Sequence, residues 1–273
     1  MLHSVEEDSP RTAASELYRS LTVPPSRLEE LVAAVRARGR EFISLADMLS
    51  GREGVVITAD DGFRNIYTCA YPLFRRLGVP FTFFVATDLV EHGFRNCRYA
   101  QLDGMMILLD HVAAHGGDFG KLFRRYRRYR TLLPFVDGRR VMRFILGHEV
   151  DFERYHRETI CSPEELRELA ESGICELGSH TARHVHMDRT RDIVRELTES
   201  KAKLEAWTGR PCRYFSYPYG HSDRRSLEAV RRIFEAAVTD VTAPPYSVDG
   251  NSDRHLLPRI ICTRSSSIGE LLR

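Results

Sequence analysis

Two adjacent carboxylates, Asp60 and Asp61, follow the apolar run Val55-Val56-Ile57-Thr58-Ala59 and precede Gly62. About 120 residues further on, His180-Thr181-Ala182-Arg183-His184 offers two imidazoles four positions apart. Side chains alternate along a strand, and a glycine turn lets the chain reverse tightly, so neighbouring aspartates at a strand end project in different directions. One can then ligate a cation while the other stays free as a base. A carboxylate and two imidazoles hold a divalent ion with open positions, and such an ion lowers the pKa of bound water to roughly 7. Together the two segments point to metal-assisted hydrolysis. Taken singly, Asp-Asp-Gly also fits an ordinary turn, and the His pair also fits a solvated helix face. On one helical turn the two rings would share a face and reach one ion.

Local signals indicate what positions these groups. Ser162-Pro163-Glu164-Glu165 reads as an N-cap, a first-turn proline and a capping-box glutamate, with Gly173 as the C-cap. Residues 174–179 then read as a short strand, so His180 leaves a strand at its carboxyl end, as Asp60 and Asp61 do. In α/β folds that end of the sheet is where sites are built. The pattern predicts an amphipathic helix over 24–39, a strand at 41–45, and a short helix to 50. A strand at 55–58, a helix over 65–77 and a strand at 81–85 form a βαβ unit. A helix over 190–207, a strand at 213–217, a helix over 223–233, and strands at 235–239 and 256–262 follow. Residues 90–160 interrupt the alternation; they read as mainly helical and include the apolar segment Met105-Met106-Ile107-Leu108-Leu109. The expectation is one domain over 1–273, with 90–160 as a helical insertion capping a barrel mouth and influencing substrate choice.

At this point the residues resemble the polysaccharide deacetylases of the NodB-homology type, carbohydrate esterase family 4. Thr58 to Gly62 matches the family's Thr-Phe-Asp-Asp-Gly motif, with Ala59 in place of phenylalanine. His180 to His184 matches its His-Ser/Thr-x-x-His motif, with Gly178, Ser179 and His186 as familiar flanks. Arg213-Tyr214-Phe215-Ser216-Tyr217-Pro218-Tyr219-Gly220 matches a third motif, which without the others would read as a surface turn. The resemblance covers roughly residues 1 to 90 and 160 to 273. It implies an α/β fold, an irregular (β/α)7-type barrel, with Asp60 as general base and Asp61, His180 and His184 as ligands of a metal, most often zinc. It further implies that the Tyr219 backbone N–H lies in the oxyanion hole, and that Arg213 orients the catalytic aspartate, the other reading of Arg213 being a surface salt bridge.

The general acid departs from the common pattern. Many members place a histidine near the C-terminus, whereas this chain has Ile261-Cys262-Thr263-Arg264 there. The branch resembling poly-N-acetylglucosamine deacetylases is circularly permuted and takes this histidine from an N-terminal His-x-Val segment. Met1-Leu2-His3-Ser4-Val5 matches it, making His3 the candidate acid and His255 the alternative. Leu256-Leu257-Pro258-Arg259-Ile260 resembles that branch's terminal strand. Arg259 there either pairs with Asp60 or another site carboxylate and lowers its pKa, or forms a surface salt bridge. The activity implied is removal of N-acetyl groups from amino sugars of a glycan or polysaccharide precursor. Deformylation or deacetylation of a lipid-linked amino sugar is one alternative, and a catalytically silent carbohydrate-binding relative, prompted by Ala59, is another.

Composition agrees with an enzyme of this size. Of 273 residues, 42% are hydrophobic, and no apolar stretch approaches the roughly 18 residues of a membrane span. The N-terminus lacks a basic segment and an apolar core of the kind that directs export, so the expected location is cytoplasmic, with export the alternative if the sequence has been trimmed of such a segment. Six scattered cysteines suit reduced thiols. The net charge is only +2, carried on 37 Arg and 3 Lys. Residues 121–130 concentrate six cations and three aromatics. That run reads as a solvated helix face, or as a contact for an anionic carrier or membrane surface; nucleic acid is not expected as a partner, since no binding fold surrounds it.

Overall fold

The computed structural model describes residues 1–92, 102–129, 138–240 and 252–271. Strands β1 (Ser4–Val5) and β2 (Thr22–Val23) form a small parallel pair. Six further strands, β3 (Ile57–Ala59), β4 (Phe81–Val85), β5 (Cys175–Ser179), β6 (Tyr214–Ser216), β7 (Ala236–Asp240) and β8 (Leu257–Arg259), make one parallel sheet whose spatial order follows the chain. The sheet curls into the irregular (β/α) barrel. The segment at the start of the chain lies between its two edges. On one side Leu2 exchanges hydrogen bonds with Thr58 and Asp60; on the other, the Met1 amine donates to the Ile260 carbonyl, and the Cys262 N–H donates to the Met1 carbonyl.

Helices α1 (Pro10–Ala14), α2 (Glu16–Leu21), α3 (Pro25–Ala37) and α4 (Leu45–Leu49) precede β3, and a π-helical turn, Ile66–Ala70, leads into α5 (Tyr71–Leu77). Between β4 and β5 come α6 (Thr87–His92), α7 (Leu102–His115), α8 (Phe119–Tyr129), α9 (Gly138–Leu146), α10 (Phe152–Thr159) and α11 (Pro163–Glu171). Helices α12 (Ile193–Thr208) and α13 (Arg224–Ile233) form the next two crossovers, and α14 (Ile268–Leu271) follows β8.

The sequence explains most of this. Strand β4 is Phe-Thr-Phe-Phe-Val and is buried along its whole length, with Phe81, Phe83 and Val85 in the larger core cluster and Phe84 packed with Tyr214, Val238 and Leu257 of the other strands, as expected where both faces of a parallel sheet are covered. Helix α11 starts as its capping signal predicts: the Ser162 side chain accepts from the Glu165 N–H and the Glu165 carboxylate accepts from the Ser162 N–H. The strand expected at 41–45 is reduced to a single bridge between Phe42 and Val55, because Ser44 caps α4 and turns the chain out of the sheet. Within 90–160 the described residues are largely helical, and Ile107, Leu108 and Leu109 of α7 join the same buried cluster as Phe81, Phe83 and Phe215.

The basic run lies on α8, with Arg130 outside the described residues. Tyr126 is buried and Phe123 half-buried, while Arg124, Arg127 and Arg128 are exposed. Arg125 donates to the Phe144 and Ile145 carbonyls and lies 4.8 Å from the Phe144 ring centroid. The aromatics of the run therefore pack inward and do not line a surface beside the cations. Cys69, Cys161, Cys175, Cys212 and Cys262 are free thiols; Cys97 is outside the described residues. Among the described residues no helix is long and apolar enough to cross a membrane.

Candidate active site

Asp60 and Asp61 follow β3, and His180 follows β5, so three parallel strand ends bring acid and imidazole together once Ser216 closes β6 beside them. Both carboxylates and His180 are almost fully buried. Their environments differ. Asp60 is gripped by Arg259 at the end of β8: Nη1 donates to Oδ1 at 2.8 Å and Nη2 to Oδ2 at 2.7 Å, the bidentate fork that suits guanidinium to carboxylate. The Ser216 hydroxyl donates to Asp60 Oδ2 at 3.2 Å. Arg259 also donates to Thr58 Oγ1, Ser216 Oγ and Asp240 Oδ1 at 2.8–3.0 Å, and its guanidinium carbon lies 5.5 Å from the Phe84 ring centroid. Burial alone would raise the Asp60 pKa, but the Arg259 charge, followed by His180, outweighs it and holds the carboxyl well below the usual range.

Asp61 faces the imidazoles instead. His184 Nε2 is 3.2 Å and His180 Nε2 3.6 Å from Asp61 Oδ1. Burial pushes this carboxyl up as well, and the His184 hydrogen bond and charge more than offset it. His180 Nδ1 is 2.8 Å from the Ser216 carbonyl, which can only accept, so the proton sits on Nδ1 and the Nε2 lone pair faces Asp61. Burial, the largest influence, holds the His180 pKa below its ordinary value and so favours the neutral ring. A lone pair aimed at a carboxylate oxygen is repulsive unless a cation lies between them. Asp61, His180 and His184 each offer one ligand atom, all within 4.8 Å of one another, and a ligating histidine ordinarily donates its other ring N–H to a carbonyl in this manner. The donor set fits a divalent metal.

The backbone that presents these groups is strained. Among the described residues, Asp61 (φ 83°), Thr181 (φ 64°), His184 (φ 48°) and Tyr219 (φ 61°) are the non-glycine residues with left-handed backbone. Each costs roughly 1–2 kcal/mol, and such residues cluster where the surroundings over-determine them. The surroundings do so here. Buried Glu196 on α12 accepts from the Arg183 N–H at 2.9 Å and pairs with the Arg183 guanidinium, while the Ala182 N–H donates to the Glu196 carbonyl. His180 and His184 share no helical turn: the segment is a loop, and its two left-handed residues return His184 towards Asp61. Tyr219 lies in a tight turn between Pro218 and Gly220, closed by the Gly220 N–H donating to the Tyr217 carbonyl at 3.0 Å. A side chain at Gly220, itself at φ 67°, would meet Asp240 at 3.0 Å, so glycine lets this turn lie against β7. The Tyr219 ring stacks on His186 at 3.8 Å and meets His184 edge-on at 4.7 Å.

His3 follows Leu2 beside Thr58–Asp60, and its charge acts on both Asp60 and Asp61. Its Nδ1 is buried with no hydrogen-bond partner among the described residues. His255 precedes β8, at the opposite end of that strand from Arg259, and its Nε2 faces the Phe234 carbonyl at 3.0 Å. Arg213 likewise precedes β6, is half exposed, and lies 3.7 Å from Glu235. Of the two readings of Arg213 the structure shows the surface salt bridge and not the orienting role, because the length of β6 separates Arg213 from Asp60 and Arg259 lies against that carboxylate instead. Sequence reasoning missed Thr58, Ser216 and Asp240 as partners of Arg259. Only the placement of Thr58 and Ser216 in matched motifs hinted at them.

A parallel α/β barrel thus presents a buried carboxylate and two imidazoles at its strand ends. Residues 50–234 match the model of the polysaccharide deacetylase family, and the chain belongs to that family. No curated protein sequence matches it. Among solved structures, a polysaccharide deacetylase from Bacillus cereus is similar with TM-score 0.66 and 18% identity over 100% of this chain, which spans 66% of that one. The Streptococcus pyogenes deacetylase PplD in complex with acetate gives 0.67 and 17%, covering 100% of this chain and 94% of that one. IcaB from Ammonifex degensii gives 0.60 and 19%, covering 98% and 91%. The likeness extends the fold well beyond the matched segment, to the N-terminal residues that complete the barrel.

Proposed function

We propose that the protein is a metal-dependent hydrolase that removes N-acetyl groups from amino sugars of a glycan or polysaccharide precursor. One observation carries the reading: two adjacent buried carboxylates are held apart in role, Asp60 by the Arg259 fork and Asp61 by the two imidazoles. Asp61, His180 and His184 would hold the metal, with zinc the expected ion. When bound it supplies a Lewis acid and lowers the pKa of attacking water.

Asp60, ionised and aimed by Arg259 and Ser216, accepts the proton of the water that attacks the acetamide carbonyl. Arg259 lowers its basicity but keeps it charged and oriented throughout the physiological range. The backbone N–H of Tyr219, held in its turn by Pro218 and Gly220, donates to the developing oxyanion. His3, beside the Asp60 strand end, gives a proton to the departing amine. Loss of acetate and release of the free amine complete the reaction.

The test is acetate release from N-acetylated glucosamine oligomers by zinc-loaded protein, with Asp60→Asn as its pair. Release is expected in the wild type, with a loss of about 10²–10⁴-fold in the variant. Release that survives in Asp60→Asn would remove Asp60 from the reaction. Absence of release from every N-acetylated sugar would turn the reading to formylated or carrier-linked sugars.

A further inference from the structure

A second histidine cluster lies away from the strand ends. His111 and His115 are one turn apart on α7, and His148 sits in the connection between α9 and α10. The three rings lie face to face or tilted, with centroids 4.9, 5.1 and 5.5 Å apart. Each offers one ligand nitrogen, all within 4.8 Å of one another.

Their hydrogen bonds fix which nitrogens those are. His115 Nδ1 is 3.2 Å from the His111 carbonyl, and His148 Nδ1 is 2.8 Å from the Glu149 carbonyl. Carbonyl oxygens only accept, so both rings carry their proton on Nδ1 and have an Nε2 lone pair for a ligand. His148 Nε2 points at His111 Nδ1 at 3.0 Å. Ligand nitrogens around a tetrahedral zinc lie about 3.3 Å apart, given Zn–N bonds of about 2.0–2.1 Å. His115 and His148 thus show the carbonyl-anchored geometry that orients histidines towards a metal, while the 3.0 Å contact is a hydrogen bond from His111 Nδ1–H to the His148 Nε2 lone pair, which ligation of a metal by His148 would replace. The carboxylate next to the cluster in sequence, Asp110, is engaged by Arg11 in a bidentate pair and is not needed as a ligand.

We propose that His111, His115 and His148 form a second site for a divalent first-row transition metal of the zinc type, tying α7 to the connection after α9. Three neutral imidazoles suit zinc, nickel or copper and disfavour calcium or magnesium. His115 and His148 are exposed and His111 is half-buried, so water can take the fourth position. The site supplies no base beside the metal, in contrast to Asp60 beside Asp61, and its role is a brace between helices.

The full chain, stripped with chelator, is loaded with Zn²⁺ alone, passed through gel filtration and its retained zinc counted. His115→Gln with His148→Gln is the paired variant, at exposed positions where folding is not at stake, and circular dichroism checks that it folds. Two equivalents in the wild type and one in the variant are expected. Hydrogen exchange around 108–116 and 147–150 is expected to slow on zinc addition in the wild type only. Two equivalents in both proteins, or one in both, would overturn the inference. One equivalent in the wild type and none in the variant would uphold it while removing the metal from the Asp61 site. None in either would remove both.

Discussion

Two histidine pairs with the same sequence spacing have opposite surroundings. His111 and His115 lie on an ordinary helix at the surface; His180 and His184 lie on a strained loop at the centre of the barrel mouth. The helical pair meets a third imidazole and no carboxylate, whereas the loop pair meets Asp61, with Asp60 held ready beside it. A spacing of four therefore brings imidazoles together in two different ways. What separates a place that can only hold an ion from one that can use it is the burial of charge nearby and the group that compensates it.

The sharpest way to break that contrast is to remove the compensation. Arg259→Met leaves Asp60 buried without its partner, and such a change costs about 3–5 kcal/mol. Urea unfolding of stripped protein should show this loss, accompanied by a fall of about 10²-fold or more in turnover; unchanged stability would mean that Asp60 is not dependent on its fork. A smaller effect is expected from pH. The folded-state pKa of His180 lies below the 6.5 of the unfolded chain, so below about pH 6.5 the unfolded state binds a proton that the folded state resists. Stability of the stripped protein is full above that value and falls as pH drops towards the folded pKa, at up to about 1.4 kcal/mol per pH unit. The slope should persist in the His115→Gln, His148→Gln protein, and unfolding curves at pH 7.5, 6.5 and 5.5 would decide it. The smallest effect is the surface change itself: without metal, that double variant should match the wild type within about 0.5 kcal/mol in the same urea titration.

How far the sequence predicted these regions follows from the range of the interactions involved. The Asp60-Asp61 strand end, the β5 strand leading to His180, and the Ser162 cap were legible because each is encoded within a few residues. The fork on Asp60 was less legible. Arg259 stands 199 residues from its partner, and it was separable from Arg213 only once strand direction showed which end of β6 and β8 each occupies. Spacing leaves the geometry of His180–His184 open, and what fixes it as a loop is buried Glu196 together with two left-handed residues. The His111, His115 and His148 cluster went unread, since a pair on one helix and a third ring 33 residues later carry no joint signal in one dimension. Ala59, the departure from the usual motif, is a fully buried strand residue whose partner across the ladder is Phe83. It leaves the chemistry of Asp60 and Asp61 in place.

The position of Arg259 also sets a timetable. A ribosome delivers Asp60 long before β8 exists, and a carboxylate cannot enter an apolar interior as an ion without its counter-charge except at a cost of several kcal/mol. The growing chain must therefore keep the mouth of the barrel hydrated, or Asp60 protonated, until residue 259 emerges. A truncated or stalled chain lacking β8 would therefore leave Asp60 without its counter-charge however much of the sheet it had already formed.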